Sequence, residues 1–144
     1  MADNSIFTYA EAIELILGFY TFSLGYWEDE INEYPLTKEC IELGFTIKDN
    51  EYEDKYILSE KGQEFFHEYI KDISEKLLNE AKKHDYEMAY DEVVKWFREE
   101  FQLKDDEDSK EIAEYIFGNL YRYGNKVLKC ISRSKGFFCR FVKC

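Results

Sequence analysis

Imidazoles and thiols are the side chains best suited to acid–base, nucleophilic or metal chemistry near neutral pH, and in this chain they are few and scattered. There are two histidines, His67 and His84, and four cysteines, Cys40, Cys130, Cys139 and Cys144. His67 follows Phe66 in an amphipathic run and reads as a boundary or surface residue of a helix. His84-Asp85-Tyr86-Glu87 contains metal-ligand types, but no second cluster completes a coordination set. The cysteines show no CxxC spacing, and no Cys–His spacing favours a nucleophile. Glycine-rich phosphate loops, a Walker-type lysine, HExxH and GxSxG are all missing from the sequence. With 31 Asp and Glu residues some carboxylate pair is inevitable, so a glycosidase-like pair carries no weight. The expectation is therefore no enzyme: no catalytic residue, no metal site and no cofactor.

What remains as chemistry is charge and aromatic surface. The 144 residues hold 31 acids against 19 bases, a net charge of -12, with 12 Tyr, 12 Phe and 2 Trp. Acids cluster at 28–33, 49–54, 99–108 and 111–114. Two of these clusters stand beside aromatics, as Tyr26-Trp27-Glu28-Asp29-Glu30 and as Asp49-Asn50-Glu51-Tyr52-Glu53-Asp54. Tyrosine among carboxylates suits a surface that steers and anchors a basic protein, which makes Glu28, Asp29, Glu30, Asp49, Glu51, Tyr52, Glu53 and Asp54 the candidate partner-binding residues. The same acidity opposes strong direct binding to DNA, because each carboxylate near a phosphate forfeits counterion release. Charge is also unevenly placed. Residues 1–121 hold every acid and sum to -19, whereas residues 122–144 hold seven bases, no acid and sum to +7. That basic, Cys- and Phe-containing end, GFFCRFVKC, either folds back on the acidic body or touches an anionic membrane or nucleic acid.

Positioning such residues requires a folded scaffold, and the composition supports one. An apolar fraction of 45% builds a core, and one proline among 144 residues excludes a Pro-rich linker protein. The start, MADNSIFTYAEA, has no basic residue and does not read as a secretory signal. The longest uncharged run, Leu15 to Trp27, has thirteen residues, short of the roughly 20 of a membrane-spanning helix. The expected location is the cytoplasm, with reduced thiols.

Along the chain, Thr8 with Glu11 reads as a capping box opening a helix to about Phe22. Pro35 starts a second helix that Gly44 ends. Phe45–Lys48 and Lys55–Leu58 flank a polar tip and read as a hairpin, after which Ser59 caps a long helix bearing Phe65, Phe66, Tyr69, Ile70, Ile73, Leu77 and Leu78. The remainder reads as helical: one helix capped by Asp85, and another capped by Ser109 that reaches Ile131 with a break near Gly124-Asn125. Phe137–Val142 is either a short terminal strand or a docked tail. The expected fold is mainly α with a small two-stranded antiparallel hairpin and a C-terminal helical extension. Residues 1–72 form the first region and 73–144 the extension, packed together as one compact unit.

The order helix, short helix, helix ending in Glu42-Leu43-Gly44-Phe45, hairpin, then Tyr56-Ile57-Leu58-Ser59-Glu60-Lys61-Gly62 resembles a winged-helix domain over about residues 8–72. That resemblance implies DNA binding, with a helix in the major groove and a basic wing on the backbone. Here the helix at the recognition position, Pro35–Glu42, offers one lysine and two glutamates, and the wing tip offers Asp49, Glu51, Glu53 and Asp54. The usual DNA surface is inverted in sign. In overall character the chain is similar to small acidic immunity proteins, which implies an inhibitor occluding a basic partner such as a nuclease toxin. The alternatives are a divergent winged-helix transcriptional regulator and an adaptor.

Overall fold

Chain direction reverses at a few well-marked residues, and these set the architecture of the computed structural model, which describes residues 6–22, 24–133 and 136–143. The chain divides into two compact units, Met1–Tyr69 and Ile70–Cys144.

In the first unit Thr8 caps helix α1, Tyr9–Leu17. The Glu11 amide donates to Thr8 Oγ1 at 3.2 Å, and the Thr8 amide donates to Glu11 Oε1 at 2.9 Å, so two otherwise orphaned donors are satisfied reciprocally. A wider π-helical turn, Gly18–Phe22, continues α1. A two-residue strand follows, β1 at Tyr26–Trp27, and then a single 3-10 turn at Glu28–Glu30. Pro35 occupies the first position of helix α2, Pro35–Glu42, where its missing N–H costs nothing. Strands β2, Thr46–Lys48, and β3, Lys55–Leu58, form the hairpin, with Thr46 opposite Leu58, Ile47 opposite Ile57 and Lys48 opposite Tyr56. Helix α3 begins at Glu60 and runs to Lys83. At its start the Gly62 amide donates to Ser59 Oγ at 3.1 Å.

The expectation of a lone two-stranded hairpin needs correcting. β1 pairs antiparallel with β3, Tyr26 opposite Tyr56 and Trp27 opposite Lys55, so the sheet has three strands in the order β1-β3-β2. A two-residue strand carries no alternation of its own; only its partner defines it.

The buried residues of this unit combine the aliphatic face of α1 with a cluster of aromatic rings. Phe7, Phe66 and Tyr69 are almost wholly buried. The Phe45 and Phe65 rings stack at 4.4 Å, and Phe65 meets Phe66 edge-on at 5.2 Å. The Tyr69 hydroxyl donates to the Phe7 carbonyl at 2.8 Å, tying α3 to the segment before α1.

The second unit also departs from the helical extension read in the sequence. After α3 come strand β4, Glu87–Ala89, helix α4, Tyr90–Phe101, and helix α5, Asp106–Asn119. A 3-10 turn at Leu120–Tyr123 then leads into strands β5, Asn125–Arg133, and β6, Gly136–Lys143, which give a second antiparallel sheet ordered β4-β6-β5. The helix expected to reach Ile131 thus ends at Asn119, and Gly124 at φ +73° redirects the chain into β5. Asp105, not Ser109, caps α5: its side chain accepts from the Asp108 amide, and Ser109 is buried with its hydroxyl donating to the Asp105 carbonyl at 3.0 Å. Asp85 caps no helix either. Asp85 and Tyr86 take left-handed backbone angles after α3, and β4 begins at Glu87. Phe137–Val142 lies within β6. Lys135 and Cys144 of the basic C-terminal segment lie outside the described residues. The core of the unit is built from Leu77, Val93, Phe97, Ile112, Ile116 and Phe141.

Candidate functional site

The β1–β3 pairing has a consequence for the acidic clusters. Trp27 lies opposite Lys55, and the next amide, Glu28, donates to the Asp54 carbonyl at 2.6 Å. Residues 28–30 are thereby held beside the 49–54 hairpin tip, although some twenty residues separate them in sequence. The tip itself is closed by two backbone bonds, Asp49 N–H to the Lys55 carbonyl at 2.8 Å and Lys55 N–H to the Tyr52 carbonyl at 3.0 Å.

Not every carboxylate is equally available. Glu30 Oε1 accepts from the Trp27 amide at 3.2 Å, which caps the 3-10 turn and directs this side chain back to the backbone. Asp49 Oδ1 accepts from the Glu51 amide at 3.1 Å, a local turn contact typical of aspartate. Glu28 Oε2 pairs with Lys48 Nζ at 3.4 Å, and both side chains remain well exposed, so the pair adds little stability. Asp29, Glu51, Glu53 and Asp54 are exposed, and no ion pair to any of them occurs among the described residues. The structure thus brings all eight sequence-predicted residues to one end of one sheet and divides them by role. Asp49 and Glu30 hold the turns, Glu28 pairs with Lys48, and Asp29, Glu51, Glu53, Asp54 and the half-exposed Tyr52 face outward.

Three residues beside them had no place in the sequence-based set. The Trp27 ring meets Tyr52 edge-on at 5.5 Å, and Lys55 Nζ lies 5.4 Å from the Trp27 centroid and 6.0 Å from that of Tyr52. Lys48 Nζ lies 4.4 Å over the Tyr56 ring. These lysines brace the aromatics through cation–π contact. The Lys48 ammonium is held above the ordinary lysine range: slight desolvation opposes the shift, and the Tyr56 phenol and the Glu28 carboxylate outweigh it. The signal that would have found Trp27 and Lys55 is the pairing partner of β1, which no local pattern reveals; Lys48 stands opposite Tyr56 in the β2–β3 hairpin.

The arrangement supplies a fixed aromatic pair, an exposed Ile47 on β2 and outward carboxylates; it can bind cationic surface, and it contains no nucleophile–base pair. His84 lies in the other unit, with Nε2 3.2 Å from Glu80 and Nδ1 3.9 Å from Glu92. Among the described residues no group of three or more His, Cys, Asp or Glu side chains is placed to hold a metal ion, and no helix is long and apolar enough to cross a membrane. Comparison of the chain with protein-family models, with curated proteins and with solved structures returned no match.

Proposed function

We propose that this chain is a small acidic protein that acts by binding, not by catalysis: an immunity-type inhibitor that occludes a basic partner such as a nuclease toxin. One observation carries the reading. β1–β3 pairing joins two acidic segments into one surface around the Trp27–Tyr52 pair, with Asp29, Glu51, Glu53 and Asp54 left without ion pairs among the described residues. Trp and Tyr are among the residues enriched at the energetic centre of an interface, and the carboxylates beside them would accelerate encounter with a cationic surface. We read residues 8–72 as a winged-helix scaffold with its recognition surface reversed in sign. The order α1, a one-turn helix at 28–30, α2, hairpin and α3 supports this, and so does the outward exposure of Glu39 and Glu42 beside Lys38 on α2. A cytoplasmic setting fits Cys40, a buried free thiol.

The test uses the immobilised chain to retain proteins at low salt, followed by kinetics with a retained basic protein. Reversing Glu51, Glu53 and Asp54 to lysine, while leaving Asp49 to hold its turn, should preserve the fold. Affinity should fall by about 1–3 kcal/mol, roughly 5- to 150-fold, mostly through a slower and less salt-dependent on-rate. Unchanged affinity and salt slope would remove the wing from the interface. Micromolar binding to duplex DNA at physiological salt would instead favour the regulator reading.

A further inference from the structure

A pocket of about 60 Å³ opens in the first unit, lined by Glu14 and Leu15 of α1, Tyr26 of β1 and residues 33–37 at the entry to α2. This is several times the ~15 Å³ that one water requires, so a small polar head group fits it. Tyr26 is only 7% exposed, its ring held edge-on by Phe19 at 5.0 Å and tilted against Tyr34 at 5.4 Å. The phenol end lies over Gly18, where any Cβ would collide with it. The Gly18 amide donates to the Glu14 carbonyl one turn earlier, and Glu14 lines the same pocket as Tyr26 with its charge acting on the phenol, so the Glu14 carboxylate lies near the Tyr26 hydroxyl. Burial first, and then the Glu14 charge, push this phenol well above the ordinary tyrosine range. No hydrogen bond to the Tyr26 hydroxyl, and no ion pair to Glu14 or Glu33, is found among the described residues. The far wall is fixed: buried Thr37 donates its hydroxyl to the Tyr34 carbonyl at 2.6 Å and its amide to the same oxygen at 3.0 Å.

A buried hydroxyl without a partner, two carboxylates without counter-ions and two tyrosine rings around one small pocket describe a receptor for an organic cation. We propose that the pocket receives the ammonium head of a lysine side chain carried by the basic partner. This rests on the reading of the chain as a binder of a basic protein and adds a discrete anchor outside the 49–54 wing tip. The ammonium donates to the Tyr26 hydroxyl oxygen and to Glu14 and Glu33, while its methylene stem lies along Leu15, Pro35 and Leu36. Lysine fits better than arginine because its charge is a compact point on a flexible stem, whereas a guanidinium needs a planar slot.

The pocket is tested without the partner, by titrating the isotopically labelled full chain with n-butylammonium, n-butylguanidinium and n-butanol while following amide shifts. The expected result is saturable shifts at Leu15, Tyr34 and Leu36 with butylammonium, clearly weaker binding of butylguanidinium and none of butanol. The Glu14→Gln/Glu33→Gln double variant alters two exposed side chains and should bind butylammonium about tenfold more weakly. Tyr26→Phe, which keeps the ring packing, should also weaken it. Non-saturating shifts spread over all acidic residues, equal binding by the double variant, or tighter binding of butylguanidinium would each overturn the assignment. The wing-reversed variant should bind butylammonium normally, so loss of the partner through the wing is separable from loss of the pocket. A partner that binds the Glu14→Gln/Glu33→Gln variant as tightly as the parent would also overturn the lysine assignment.

Discussion

Replacing Gly62 by alanine should destabilise the protein, although the same change in most helices stabilises it. Gly62 lies in the first turn of α3, where removing a glycine ordinarily gains about 0.8–1 kcal/mol of helix propensity. Here the new Cβ would collide with the Phe45 carbonyl oxygen, and it would lie 2.9 Å from the Phe45 carbonyl carbon and 3.1 Å from Leu58 Cδ2. That carbonyl has little room to retreat, because it accepts the Ser59 amide at 2.9 Å, while the Phe45 amide is bound to Cys40 at 2.9 Å. Overpacking costs about 1–3 kcal/mol, and shifting the carbonyl endangers a hydrogen bond worth about 0.5–1.5 kcal/mol. After the propensity gain is subtracted, a net loss of about 1–3 kcal/mol is expected, roughly 3 °C in Tm for each kcal/mol in a chain of this length. Gly118, in α5, supplies the control: a Cβ there meets nothing within 4 Å, so Gly118→Ala should stabilise by about 0.4–1 kcal/mol. Thermal and urea unfolding of both variants read the two signs. A Gly62→Ala protein as stable as the parent, or more so, would refute the close approach of α3 to Phe45.

Two further outcomes follow from hydrogen-bonded phenols. Tyr69→Phe keeps the ring packing and removes the donor to the Phe7 carbonyl, and should cost about 1–2 kcal/mol in urea unfolding; a change below about 0.3 kcal/mol would show that the bond carries no net stability. Burial first, and then Glu114, push the Tyr90 phenol up to about 12, so its contribution is complete below its ordinary value of 10 and is lost as pH rises from 10 towards 12; Tyr90→Phe should flatten the fall in stability across that window, and an unchanged slope would assign it to other groups.

Legibility in the sequence followed the range of the interaction. The Thr8–Glu11 box, Pro35 at the head of α2 and the hairpin at 46–48 and 55–58 depend on residues a few positions apart, and the pattern shows them. β1 was missed because two residues have no period, and with it went the roles of Trp27 and Lys55. The β5–β6 sheet was misread for a different reason. Val127, Leu128 and Ile131 fall at intervals that suit a helix face equally well, and only Gly124 with its positive φ marks the change. Of the candidate surface, the acidic residues were legible as a list, but not the separation of Glu30 and Asp49, which hold turns, from Asp29, Glu51, Glu53 and Asp54, which face outward.

The two edges of the first sheet are β1 and β2, two and three residues long. Neither offers enough backbone for an incoming strand to zip onto, and Lys48 further guards the β2 edge. On the proposed reading, a partner meeting this surface is recognised through side-chain tips, with almost no contribution from main-chain pairing. Recognition of that kind is readily rewritten. Each outward carboxylate at the tip can change identity without disturbing the strands beneath, so one scaffold can track a partner whose own surface drifts, or be turned toward a new one, by single substitutions at Asp29, Glu51, Glu53 or Asp54.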